Sequence, residues 1–304
     1  MLTPLYKITY RYQGHEKVIF VKDESKNVTG SIKYRPAKYM IDMAYNLHQL
    51  DKDTPIIEVT SGNMGIALAR VGKSYGNKVI IYMPKDMSKE RQEMIKKEGA
   101  ELVLTKDFPE AFRLATLAKG FKTKQFANPH NADSYVSLAQ EIEMKLQSKD
   151  IVGFIAGVGT SGTLSGTGSY FKRKNPKFKM IALEPKETSL LTTRIRNGAK
   201  HEIEGISDGF IPKLYYYKRK LVDQIITVTS VDSIVMAQKL MEKFNLDIGI
   251  SSGANFLGAV TSGVNKIITV FPDSADRYKS TRLMDKSLKS DLVNQIELLK
   301  IETL

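Results

Sequence analysis

Three glycine-punctuated segments hold most of the residues with chemical capacity. TSGNMG (residues 60–65) follows the apolar run IIEV and precedes a helical pattern. Its hydroxyls, its exposed amides and the two-way hydrogen-bonding amide of Asn63 make a cradle for a carboxylate. The competing account is a helix cap at Ser61 with glycines for turning. AGVGTSGTLSG (residues 156–166) also follows an apolar run, and its small residues let successive N–H groups curl around an anion. Thr160, Ser161 and Thr163 add hydroxyl donors. The spacing is neither the GxxxxGK[ST] phosphate loop nor a GxGxxG followed by an acid about 20 residues on, so it reads as a site for a single phosphate.

The third segment, KNVTGSIKYRPA (residues 26–37), puts Lys33 at the opening of a helical pattern beside Thr29 and Ser31. One lysine among 46 basic residues is ordinarily surface charge. A lysine at a helix start, in a chain that also carries a monophosphate nest, suits an imine with a phosphorylated aldehyde.

Positioning these loops takes an alternation of buried strands and helices. Apolar, β-branched runs lie at 18–21, 56–60, 79–83, 102–105, 152–156, 180–183, 225–228 and 267–271, with helical patterns between them at 66–75, 89–97, 110–118, 134–146 and 233–244. Strands that are apolar without alternating predict an α/β fold, parallel sheets with helices on both faces. Leu288, Leu292, Ile296 and Leu299 share one face of a predicted C-terminal helix, which docks on its own domain or on a second subunit.

The chain has 304 residues, enough for two modest domains, and no cysteine, which excludes disulfides, thiolate metal sites and a nucleophilic thiol. His15, His48, His130 and His201 lie at no helical i, i+4 spacing, so no metal site is expected. The net charge of +13 is compatible with nucleic acid, since FKRKNPKFK and KLYYYKRK mix aromatics with cations. No nucleic-acid motif accompanies it, and a lysine-rich solvated surface that attracts anionic small molecules is the preferred account. No run is long enough to span a bilayer, and the charged, alternating start MLTPLYKITYRYQGHEK is not a secretory signal, so a cytoplasmic location is expected.

KNVTGSIKYRPA resembles the NPTGSVKDR-type segment of the cysteine synthase and cystathionine β-synthase family, TSGNMGIALA its TSGNTGIALA, and GVGTSGTLSG its GxGTGGTxxG loop. QFANP (125–129), HEIEGISDGFIP (201–212), GISSGA (249–254) and FPDSADRY (271–278) are similar to further family segments, in the family's order and over nearly the whole chain. The resemblance implies a two-domain, pyridoxal-phosphate-dependent enzyme of fold type II (tryptophan synthase β-like), acting as a homodimer on a small amino acid. A smaller mobile domain, residues 37–128, would close over a larger one, residues 1–36 plus 129–304. Lys33 would carry the pyridoxal 5'-phosphate as a Schiff base and later move the α-proton. Asn63 would meet its phenolic oxygen, and Gly159, Thr160, Ser161, Gly162 and Thr163 would wrap its phosphate. Thr60, Ser61, Gly62 and Gln125 would hold the substrate carboxylate, with Ser61 also at the catalytic centre. Ser274 would face the pyridine nitrogen, with Asp273 as its rival. A neutral hydroxyl there makes a weak electron sink, which suits β-elimination and replacement better than racemisation.

Tyr34, Met64 and Ser161 replace an acidic residue, a threonine and a glycine of the family pattern, and the stretch 105–124 is shorter than its counterpart. GISDGF (205–210) carries Ser207 and Asp208 where the synthases tend to have glycine and a small residue, in a loop facing the substrate side chain. In the family the reaction passes through an α-aminoacrylate, electrophilic at Cβ. Sulfide attacks it unaided, whereas water is a poor nucleophile and benefits from a base. Asp208 is therefore either that base or a turn-capping loop residue. As a base it points to L-cysteine plus water giving L-serine plus hydrogen sulfide, as in a cysteine hydroxyl-lyase branch. The alternatives are an O-acetylserine sulfhydrylase, serine–homocysteine condensation, or a cofactor-bearing regulatory partner without turnover.

Overall fold

The computed structural model describes residues 2–146, 151–194 and 199–304. Among them are eleven strands: β1 (Leu5–Tyr12), β2 (His15–Asp23), β3 (Ile56–Val59), β4 (Val79–Pro84), β5 (Glu101–Thr105), β6 (Phe121–Lys122), β7 (Gly153–Gly157), β8 (Lys179–Pro185), β9 (Gln224–Val228), β10 (Ile267–Phe271) and β11 (Ile296–Thr303). They form a seven-stranded sheet in the order β11-β1-β2-β10-β7-β8-β9 and a four-stranded sheet in the order β5-β4-β3-β6. The smaller sheet is parallel throughout, and its strands all fall within residues 56–122. The larger is parallel from β2 to β9.

Consecutive apolar residues face opposite sides of the larger sheet, because strand side chains alternate. Ile19, Ile155, Ile181 and Ile267 enter one buried cluster, while Phe20, Phe154, Met180 and Ile268 enter the other. Covering both faces accounts for the unalternating apolar runs of the sequence.

The departure from the expected pattern is one antiparallel edge. The strands β1 and β2 form a hairpin, and β11 pairs antiparallel with β1. The continuous C-terminal helix expected from Leu288 to Leu299 is corrected to a short turn, Asp291–Asn294, followed by β11. Ile296 is fully buried and Leu298 nearly so, with Glu297 exposed between them, and the open edge of β1 supplies a ladder that a helix would leave unused.

Three strands end at the chemically suspicious loops. The carboxyl end of β3 leads into residues 60–65, that of β7 into 158–163, and that of β10 into Pro272, Asp273 and Ser274. The lysine segment is tied to the last of these: Ile32 N–H donates to the Pro272 carbonyl at 2.8 Å, Ser274 N–H donates to that of Gly30 at 3.2 Å, and Ser31 bridges Asp273. Convergence of strand carboxyl ends is where open α/β sheets take ligands.

Candidate active site

Two adjoining cavities lie between the sheets. The first is walled by Lys33, Asn63, the loop Gly159 to Thr163, Glu204 to Ile206, Ser251, Asn255 and Asp273. The second contains Lys33, Thr60, Ser61, Asn63, Met64, Arg91, Gln125, Phe126, Thr160, Gly205 and Asp208. Lys33, Asn63, Thr160 and Gly205 belong to both, so the lysine stands at the junction of a phosphate-type loop and a carboxylate-type loop.

Lys33 precedes the helix Tyr34–Asn46 and keeps some solvent contact, yet protein surrounds it on every side. Burial pushes its amine below the ordinary lysine range, against the opposing attraction of Asp208 and Asp273. Lowering the proton affinity of an amine favours its free, nucleophilic form. Asp208 is likewise walled in with a small exposed portion. Burial raises its carboxyl above the usual range, and the charges of His201, Lys33 and Arg91 act the other way.

The loop at 159–163 has the form of an anion nest. Ser161 sits at φ 69°, the left-handed region that explains a glycine in the family pattern, and its hydroxyl contacts that of Ser165 at 3.0 Å. Among the described residues the N–H groups of Thr160 and Ser161 find no acceptor, and both side chains are buried. Buried orphan donors at a strand-to-helix turn fit a phosphate. Glycine is required at two points: a Cβ on Gly159 would come within 2.1 Å of the Gly205 carbonyl oxygen, and one on Gly162 within 2.0 Å of Asn131 Oδ1. A wide π-helical turn, Leu164–Gly168, continues the loop into the helix Ser169–Lys174.

Around the carboxylate cradle, Gly62 takes φ 144° and opens the helix Asn63–Tyr75, and a Cβ there would meet Arg91 Cδ at 2.2 Å. Gly62 thus lets the Arg91 side chain through rather than lining the cavity itself. Gln125 donates its side-chain amide to the Val59 carbonyl at 2.8 Å, and its backbone N–H to Glu58 Oε2 at 2.9 Å. Asn131 joins the two loops, donating to the Gln125 carbonyl at 2.8 Å and to Thr160 Oγ1 at 3.1 Å.

Ser274 lies outside both cavities, while Asp273 is on the wall of the first. The sequence offered no sign of Arg91, one cation in the lysine-rich run KERQEMIKK, which here is buried and ion-paired with Glu204, with Asp273 at 3.6 Å. Asn255 was also missed. It accepts from Gly157 N–H at 2.9 Å and donates to the Val270 carbonyl at 2.9 Å. Its signal was present: a lone amide in the apolar helix Ile250–Thr261 must find partners. Among the described residues no cluster of His, Asp and Glu is arranged to hold a metal ion, and no helix is long and apolar enough to cross a membrane.

A walled-in lysine of lowered proton affinity, between a loop of orphan backbone donors and a hydroxyl-bearing helix start at the meeting of two sheet layers, is the arrangement expected of a pyridoxal-phosphate enzyme of fold type II. The family described as pyridoxal-phosphate dependent enzyme matches residues 2–272, and the chain belongs to it. It is 34% identical over 294 residues to a cysteine synthase of Staphylococcus aureus, covering 92% of this chain and 94% of that one. A hydrogen sulfide-producing enzyme from Fusobacterium nucleatum superimposes with a TM-score of 0.90 at 39% identity, over 99% of this chain and 95% of that one. A mutant of that enzyme, complexed with an α-aminoacrylate intermediate, gives a TM-score of 0.93 at 41% identity, over 99% and 96% of the two chains. The chain is therefore an enzyme of the cysteine synthase type, with pyridoxal phosphate as cofactor and β-replacement on small amino acids as its chemistry.

Proposed function

We propose that the enzyme converts L-cysteine and water to L-serine and hydrogen sulfide. The observation that carries this is Asp208, a carboxyl with a raised proton affinity that shares a cavity with Lys33. Thr60, Ser61 and Gln125 hold the cysteine carboxylate, which aims Cα at Lys33 and the side chain at the loop of Asp208. Lys33 and residues 159–163 would hold pyridoxal phosphate, which would supply electron withdrawal from Cα once the substrate amine has displaced that of Lys33. Lys33 takes the Cα proton, and the Cβ–S bond breaks with its electron pair leaving on hydrosulfide. Water then attacks Cβ as Asp208 accepts its proton, Lys33 returns the first proton to Cα, and the proton on Asp208 leaves with the sulfide.

Closure of residues 37–128 over the site belongs to the same proposal, since it would exclude stray nucleophiles. The resemblance to an enzyme described as hydrogen sulfide-producing supports the direction. The test supplies the purified enzyme with L-cysteine alone, or with O-acetylserine and sulfide, and measures serine, cysteine and sulfide. Serine and sulfide formed from cysteine in equal amounts are expected. Turnover of O-acetylserine with sulfide, and none of cysteine, would make the enzyme a sulfhydrylase.

A further inference from the structure

Asp208 belongs to two cavities. It shares the second with Lys33, and it also stands on the wall of a third, an open cavity of about 500 Å³ walled by Phe108, Pro109, Phe112, Leu190 and Phe210. The helix Phe108–Leu117, within the segment of the smaller sheet, brings Phe108, Pro109 and Phe112, and the chain just after Asp208 brings Phe210. Aromatic rings connect the two spaces. Phe126, on the wall of the second cavity, packs edge-on to Phe210 at 4.8 Å between centroids and to Phe112 at 6.1 Å, and Phe210 meets Phe108 at 6.4 Å.

Two of the three polar side chains on this wall are engaged within the protein. Asp107 Oδ1 accepts from Glu110 N–H at 2.9 Å, as a helix cap does, and the Thr188 hydroxyl and carbonyl oxygens each lie 3.1 Å from the Ser207 hydroxyl. The third is Asp208, whose carboxyl has no hydrogen-bond or ion-pair partner among the described residues. Left-handed backbone at Ser207 (φ 53°) and Gly209 (φ 82°) brackets it and fixes the turn that presents it. Apolar walls take up apolar surface and reject charge, whereas a lone carboxyl at the junction can accept one proton. Water and hydrosulfide use none of this volume. The combination suits a neutral molecule with an aromatic body and one weakly acidic, nucleophilic head.

We propose that the third cavity is an acceptor site for an uncharged thiol with an aromatic body, which the enzyme joins to Cβ of cysteine in place of the original sulfur. The inference rests on β-replacement and on the place of Asp208, not on water as the physiological nucleophile. The Cβ–S bond of cysteine breaks with its electron pair leaving on hydrosulfide. The sulfur of the incoming thiol then bonds to Cβ as its proton passes to Asp208, and that proton leaves with hydrosulfide as hydrogen sulfide. One C–S bond breaks and one forms, so nothing is oxidised or reduced. The product is a thioether amino acid whose ring stays among Phe108, Phe112 and Phe210 until release.

The test gives the holoenzyme saturating L-cysteine with either phenylmethanethiol or 2-mercaptoethanol, two neutral thiols of similar acidity, and follows the thioether product by mass spectrometry. The KM for phenylmethanethiol is expected to lie about tenfold or more below that for 2-mercaptoethanol, since only the former has a ring to bury. Phe210→Ala should erase most of this difference. Phe112 is 37% exposed on its helix, so Phe112→Gln is a substitution the fold tolerates, and it should narrow the difference in the same direction. Equal KM values for the two thiols in the wild type overturn the proposal, as does a preference that survives in every variant that folds. Serine formed from cysteine without added thiol is a separate readout, so failure of the water reaction leaves this comparison intact.

Discussion

At the scale of single residues, the site depends on carboxyl groups kept where ionisation is costly. Asp208 is the case with functional consequence. Asp208→Asn should bind cysteine and release one equivalent of sulfide per site, because Lys33 and a good leaving group suffice for that half. The second half needs a base, and an amide cannot take a proton from water. Serine formation should fall by about 10² to 10⁴-fold, with added thiols partly restoring turnover. A sulfide burst followed by a stall, read by rapid mixing, is the expected outcome, and serine at the wild-type rate would make Asp208 a structural loop residue. Since burial raises the Asp208 carboxyl, the acid limb of serine formation should lie above the usual carboxylate range and vanish in the variant.

Glu58 supplies a second prediction at this scale. It is buried in β3 and pushed up to about 7 from 4.5, by burial first, against bonds from Thr123, Gln125 and Val59. A raised folded-state value means that the protonated form is favoured by folding. The stabilisation is complete below pH 4.5 and is lost as pH rises through 7, a difference on the order of 3 kcal/mol. Thermal stability should therefore decline from pH 5 to 8, and the decline should flatten in Glu58→Gln, which has no proton to lose. An equal slope in both proteins would show that Glu58 is ionised throughout.

At the scale of elements, the two loops are separable although Asn131 ties them together. Gly162→Ala drives a Cβ into Asn131 Oδ1, so the phosphate nest must distort, and cofactor retention after gel filtration should drop. Gln125→Ala leaves that nest intact and should keep the yellow colour while raising the KM for cysteine. Equal loss of cofactor in both variants would mean that the loops are not independent. These loops were readable in the sequence because glycine and hydroxyl residues followed short apolar strands, a pattern local in the chain. The strand β11 was not, since Leu288, Leu292 and Ile296 fit a helical period, and only the unpaired edge of β1, nearly 300 residues away, decides for a strand. Arg91 was hidden for the same reason: its partners Glu204 and Asp273 are more than 100 residues distant, and nothing in its own helix marks it among neighbouring lysines. Ser274 and Asp273 are adjacent and both polar, so only the turn after β10 says which of them enters the cavity.

At the scale of the whole molecule, the two sheets are tied across the cleft by a small set of polar contacts. Asn63, from the segment bearing the smaller sheet, is held by Asp273 and by Arg277 Nε, each at 2.7 Å. Glu90 accepts from Ser280 N–H at 2.7 Å and from its hydroxyl at 2.8 Å, and Arg91 pairs with Glu204 beside the Asp208 loop. Only the last of these joins opposite charges, with Arg91 on the wall of the second cavity and Glu204 on that of the first, so it is the contact best able to couple closure to a bound ligand. Glu204→Gln keeps the size and one acceptor of the side chain, and it leaves Arg91 its neighbour Asp273. Replacing a charge-assisted bond by a neutral one costs about 1 kcal/mol. If closure is what that bond favours, the closed fraction falls, and apparent affinity falls with it. The KM for cysteine should rise roughly fivefold, with kcat, colour and melting temperature close to the wild type. A lowered melting temperature at unchanged KM would instead mark the pair as a prop of the fold, and the closing contacts would then be those of Asn63 and Glu90.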